Sequence, residues 1–170
     1  MTDKRRQPKV SFEHFLEKFP EIDLPVTLTD EAIHTFSKVN DPLPVPMIEQ
    51  FLQRFEEEPA DELTEYVACF RIADTSEFHA LVYWRAGLMN YQYILATFTK
   101  QGLPIDRKAI AGTYYDGRTF TRSVATIDDE WIIYVVAGQA PDGNDQSYDA
   151  SSSRTINLEL MPDGRIAHAE

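Results

Sequence analysis

The sequence predicts an α+β fold: N-terminal helices packed on a mostly antiparallel meander sheet of six to eight strands. Three observations carry that reading. Up to Pro59 the apolar residues recur every three or four positions, as on helices, and after Pro59 they alternate as on strands. The gaps between strand-like runs are too short to hold crossover helices, so neighbouring strands must pair antiparallel. Helices first and strands afterwards is the α+β order. Length and composition fit one globular domain: 170 residues, 43% apolar and 26% charged.

The elements follow in order. Ser11 is placed to cap a short helix with Phe12, Phe15, Leu16 and Phe19 on one side, and Pro20 stops it. Glu21 to Thr29 reads as an extended linker around Pro25. Thr29 or Asp30 is placed to cap a second helix, with Ile33 and Phe36 on its apolar side and Asn40-Asp41-Pro42 at its end. Pro46 suits a first helical turn, and Met47, Ile48, Phe51, Leu52 and Phe55 form the next stripe. The stripes are too short to stand alone and should bury against one sheet face.

Eight strand-like runs come next: Glu65 to Ala73, Phe78 to Arg85, Tyr91 to Thr99, Pro104 to Gly112, Thr119 to Ile127, Trp131 to Ala137, Thr155 to Met161 and Arg165 to His168. Trp131 to Ala137 is continuously apolar, as a strand covered on both faces would be. Asp116-Gly117, Asp128-Asp129 and Pro162-Asp163-Gly164 mark tight turns between neighbours. Gln139 to Ser153 is polar and reads as a long loop.

Charge is unevenly spread. The chain carries −12 in all. Residues 1–10 hold four cations against one acid, a net +3, and read as a disordered basic tail ahead of a single α+β domain, 11–170. Residues 11–62 hold three cations against thirteen acids, a net −10. So acidic a chain is a poor match for nucleic acid or an anionic membrane. The longest apolar run, Trp131 to Gly138, is far short of the ~18 residues of a membrane span. The lone Cys69 allows no internal disulfide and no Cys-based zinc site, which points to the cytoplasm.

No motif asks for a cofactor, a metal or a catalytic residue. Gly112 to Thr119 comes within one residue of a phosphate-binding loop. Tyr114, Tyr115 and Asp116 crowd and repel phosphate there, and a strand rather than a helix follows, so the segment reads as a hairpin. Asp142 to Asp149 spaces its oxygens like a calcium loop but lacks the required Gly and Glu. The histidines, His14, His34, His79 and His168, show no metal-ligand spacing, and only His79, among strand aromatics, merits attention. Cys69 lies in an apolar strand and reads as a small buried hydrophobe. The glutamates Glu56, Glu57 and Glu58 read as solvated charge at a helix end.

The expected function is therefore a non-catalytic protein-binding or regulatory module. Its candidate interaction surface joins Glu56, Glu57 and Glu58 to an exposed aromatic sheet face marked by Tyr83, Tyr91 and Tyr93. The partner would be a basic protein. Bacterial immunity proteins that neutralise toxins share this size and acidity, an analogy of length and charge alone. The alternative is a small-ligand protein or enzyme with its site between helices and sheet, or on the aromatic face. If the acidic surface steers a basic partner, association should slow as salt rises. Replacing Glu56, Glu57 and Glu58 by Gln should slow it further while leaving the fold intact, as stopped-flow mixing and a melting curve would show.

Overall fold

The computed structural model describes residues 10–88, 90–141 and 153–169. Helix α1 (Phe12–Glu17) leads into two very short strands, β1 (Glu21–Ile22) and β2 (Val26–Leu28). Helix α2 (Ala32–Val39) follows, then α3 (Val45–Met47), which runs on as a π turn over Ile48–Leu52 and a 3-10 turn over Gln53–Phe55. The remaining strands are β3 (Glu65–Ile72), β4 (Phe78–Ala86), β5 (Asn90–Thr99), β6 (Pro104–Tyr115), β7 (Thr119–Ile127), β8 (Ile132–Pro141), β9 (Arg154–Leu160) and β10 (Ile166–His168). All ten belong to one sheet in the order β1-β3-β4-β5-β6-β7-β8-β9-β10, with β2 added on β7. Among the described strands, only β1 on β3 is parallel.

The eight strand-like runs of the sequence all become strands. The expected range of six to eight is exceeded by β1 and β2, which arise from the segment 21–29 read as a linker. Strands of two and three residues carry no periodic signal. They form because open sheet edges need hydrogen-bond partners. The end of β3 takes β1 through Glu21 opposite Arg71, and the edge of β7 takes β2 through Leu28 opposite Ala125. Strand β8 also runs on to Pro141, into the stretch read as loop, while the Asp142 to Asp149 segment and residues 1–9 lie outside the described residues. Val10 is held to the helical layer by Gln50, which exchanges two hydrogen bonds with its backbone.

The edge of β7 is open because β6 leaves it. These strands pair only from Gly112 opposite Ser123 to Tyr115 opposite Phe120. At Gly112 φ is +133°, and a Cβ there would sit 1.9 Å from the Tyr91 carbonyl oxygen. Only glycine lets β6 press so closely on β5 while it turns away. The sheet then curls around one apolar cluster with buried members from eight strands, among them Leu28, Phe70, Val82, Leu95, Ile110, Ile127, Ile133 and Leu158. Its far end returns to β5 and β6. The Asp106 carboxylate accepts the Ile166 N–H at 2.8 Å, and the Thr97 hydroxyl donates to the Gly164 carbonyl at 2.6 Å. At the turns Asp116, Asp128 and Asp163 each accept backbone N–H groups, which closes the hairpins where the sequence placed them.

A second apolar cluster lies on the outer face of β3 to β5. Phe15, Phe19, Phe51 and Leu52 of the helical layer pack there on Leu81, Tyr83, Ile94 and Phe98. Ser11 caps α1, accepting from the N–H groups of Glu13 and His14. The helices do not all bury against one face, as the sequence led us to expect. Helix α2 turns Ile33 and Phe36 to the inner cluster, with Phe36 5.8 Å from Phe70. Asn40, at its end, explains the placement. Its amide donates to the Ala68 and Cys69 carbonyls at 2.7 and 2.8 Å, at the β3 bulge. Nor is α2 capped by Thr29 or Asp30: Glu31 precedes it without a side-chain cap, and the Thr29 carbonyl accepts the Tyr93 hydroxyl.

The parting of β6 from β7 yields a direct test. Gly112→Ala should cost at least ~2 kcal/mol, because it adds a backbone clash to an unfavourable φ. Gly117→Ala has a positive φ too but meets nothing within 4 Å, and should cost about 1 kcal/mol. Urea midpoints of the two variants compare them.

Candidate functional site

The last residue but one of strand β4 is an arginine. Its register places Leu81, Tyr83 and Arg85 on the outer face, and the chain after the 3-10 turn folds over them. Arg85 is thereby only 6% exposed. A buried guanidinium needs acceptors on every side, and the segment from Glu56 to Pro59 provides them. Arg85 Nε donates to Glu56 Oε1 at 3.2 Å, Nη1 lies 3.5 Å from Glu58 Oε2, and Nη2 donates to the Glu58 and Pro59 carbonyls. The Glu56 carboxylate is as deeply placed, with 5% of its side chain exposed. It also accepts the Tyr66 hydroxyl at 2.5 Å and the Tyr83 hydroxyl at 2.8 Å.

The electrostatics keep the two phenols and the guanidinium of this cluster protonated. Burial and the Glu56 hydrogen bond push the Tyr66 phenol up to about 12. Burial pushes Tyr83 up further, with the nearby Arg107 cation opposing and Glu56 assisting. Burial alone would lower the Arg85 pKa, but the Tyr66 oxygen and the Glu56 charge raise it. Both phenols therefore stay protonated donors and Arg85 stays a cation. Every oxygen of Glu56 is engaged. The cluster ties helical layer to sheet and offers no spare base.

Beside it opens a cleft of about 550 Å³ between residues 55–58 and the strands β5 and β6. Phe55, Ile94 and Phe98 give it apolar walls, and Arg107 enters from β6. Arg107 pairs in register with Ala96, which belongs to the outer cluster. Unlike Arg85, it is not satisfied: its Nε and Nη1 are buried and have no hydrogen-bond partner among the described residues. A desolvated charged donor without an acceptor is costly, so this is the position where a ligand acceptor would be favoured most.

The expected site residues are not brought together on one surface. Glu56 is buried, which corrects its reading as solvated charge, while Glu57 and Glu58 are exposed. Tyr83 and Tyr93 are fully buried, on opposite faces of the sheet. Tyr91 alone of the three is partly exposed, stacked 6.0 Å from Trp84. The exposed tyrosine face does not form, because β3 to β5 are covered on both sides. Cys69 is buried and burial pushes its thiol up, so it is no ready nucleophile. Among the described residues no three His, Cys, Asp or Glu side chains gather to hold a metal ion, and no helix is long and apolar enough to cross a membrane. The segment 112–119 is a β6–β7 hairpin.

Sequence reasoning missed Arg85 and Arg107. The signal for Arg85 was its place at the end of the apolar run Ala80 to Trp84, where a buried charge demands a counter-ion. Arg107 gave none, since Asp106, Arg107 and Lys108 look like an ordinary polar strand. No family model matches the chain, and neither does any curated protein or solved structure.

Glu56→Gln should destabilise the fold by about 3–5 kcal/mol, because it strands the Arg85 cation and points an amide donor at groups that already donate. Glu57→Gln should stay within about 0.5 kcal/mol. Denaturant unfolding of the two variants reads the difference; equal stabilities would refute the clamp. The triple Gln replacement thus acts on the fold through Glu56 rather than on encounter alone.

Proposed function

We propose that the protein is a non-catalytic binding protein for a small anionic ligand, held in the cleft between the helical layer and the sheet. One observation carries the reading: Arg107 presents two buried donors that have no partner among the described residues, beside a cluster whose charges are satisfied. A carboxylate or phosphate head accepts from Arg107, and an apolar body lies against Phe55, Ile94 and Phe98. The saturated Glu56 carboxylate and the protonated tyrosines argue for binding rather than turnover.

A second reading keeps the basic protein partner. Glu57 and Glu58 line the cleft, Asp61 and Glu62 follow them in the chain, and all four are exposed. They form an acidic rim suited to electrostatic steering, without Glu56 and without the tyrosines.

Calorimetric titration with benzoate and phenyl phosphate tests the first reading, with neutral benzamide as control. Both anions should bind, benzamide should not, and Arg107→Gln should weaken binding about 10–100-fold, the worth of a charge-assisted hydrogen bond. Anion binding that ignores Arg107→Gln, or equal binding of benzamide, would overturn it.

A further inference from the structure

A second group of cations lies at the opposite end of the same outer face. Two adjoining crevices, of about 360 and 570 Å³, flank it. One runs along the β3–β4 turn and the other along α1, and they share Arg71, His79 and Lys100 as a common wall. The three residues come from β3, β4 and the turn just after β5, so antiparallel pairing brings them together across about thirty positions of sequence.

Their surroundings leave them short of acceptors. Arg71 Nη2 reaches Glu21 at 3.5 Å, a partly exposed pair, but Arg71 Nε is buried with no partner among the described residues. Lys100 Nζ donates to the Thr75 carbonyl at 2.9 Å, which takes up one of its three donors and neutralises none of its charge. His79 rests against the Phe12 ring at 5.7 Å. Burial first, then the Lys100 and Arg71 charges, depress its pKa. Glu13 and Glu17 of α1, Glu21 of β1 and Asp74 of the β3–β4 turn border the two crevices. After burial, the charges that act on the imidazole are those of Lys100 and Arg71. In a chain of net charge −12, two permanent cations and an imidazole thus meet at one place.

We infer that Arg71, His79 and Lys100 form a binding site for a tetrahedral dianionic oxyanion, a phosphate or sulfate group, separate from the Arg107 cleft. Such a group offers acceptors to Arg71 Nε and to the free Lys100 protons, and it relieves the repulsion on His79. The acidic border disfavours extended polyanions and leaves room for one compact charge. Binding and protonation of His79 are then linked: the anion must raise the His79 pKa, and low pH must tighten the anion.

The test is a nuclear magnetic resonance pH titration of all four histidines. Sulfate serves as probe, since its charge is constant across the range, against chloride at matched ionic strength. The His79 pKa should rise by about one unit in sulfate, equivalent to about tenfold tighter binding to the protonated form. His14, His34 and His168 should move no more than in chloride. Lys100→Gln should abolish the response, and Arg107→Gln should leave it intact, which keeps this site distinct from the first cleft. Phosphoserine and inorganic phosphate then compare sources: tighter phosphoserine assigns the site to the phosphoryl end of a larger molecule, and equal binding assigns it to the free ion. A His79 pKa that does not move, that moves equally in chloride, or that still moves in Lys100→Gln overturns the inference.

Discussion

The buried pair of Glu56 and Arg85 is the constraint on which the outer half of the structure rests. Neither charge is tolerable there alone, since an uncompensated buried ion costs several kcal/mol. Together, and with the Tyr66 and Tyr83 hydroxyls, they leave no acceptor idle on the carboxylate. The consequence is positional. The chain leaving the 3-10 turn has one place to lie, because five of its polar atoms, the two Glu56 oxygens, Glu58 Oε2 and the carbonyls of Glu58 and Pro59, are fixed to β4 and its neighbours. That placement fixes residues 55–58 as a wall, and the cleft holding Arg107 exists only because the wall stands off from β5 and β6.

The inner half depends on a different device. A ten-stranded sheet with one face on a core must curl or split, because strand twist accumulates. Here it curls, and the curl is focused where Gly112 lets β6 leave β7. Strand β2 fills the edge so exposed, and β10 is bonded back through Asp106. Two adjacent residues of β6 thus serve both faces of the sheet: Asp106 anchors β10, and Arg107 lines the cleft. The two faces of the sheet are in this way mechanically joined, and the ligand proposed for Arg107 would bear on a strand that also closes the inner core.

How much of this was legible follows from range. The strands were legible because each is a local pattern: Phe78, Ala80, Val82 and Trp84 do face one cluster, and Leu81 and Tyr83 the other. The hairpin aspartates were legible because an Asp side chain acts on amides two to four residues away. What failed was long-range. The tyrosines were placed on strands correctly, but their exposure was decided by helices docking from far away in sequence. Glu56 looked like its neighbours Glu57 and Glu58, and the difference between them lies in Tyr66, Tyr83 and Arg85, up to 29 residues distant. Strands β1 and β2 were invisible because their hydrogen bonds answer a need of β3 and β7, not a preference of their own.

Net charge proved the least local guide of all. A sum of −12 argues about solubility and long-range encounter, and it says nothing of what a cleft a few ångströms wide will hold. Within a Debye length of about 10 Å, screening and burial make nearest neighbours decisive. The acids of residues 11–62 are mostly exposed and face water, whereas Arg71, Arg85 and Arg107 all have guanidinium atoms turned into protein. Water compensates an exposed acid cheaply; it does not reach a buried Nε. The acidic surface and the basic interior are therefore compatible, because they are solvated by different things. The recognition proposed for Arg107 and Arg71 follows the minority charge, since among the described residues its donors are the ones without an acceptor.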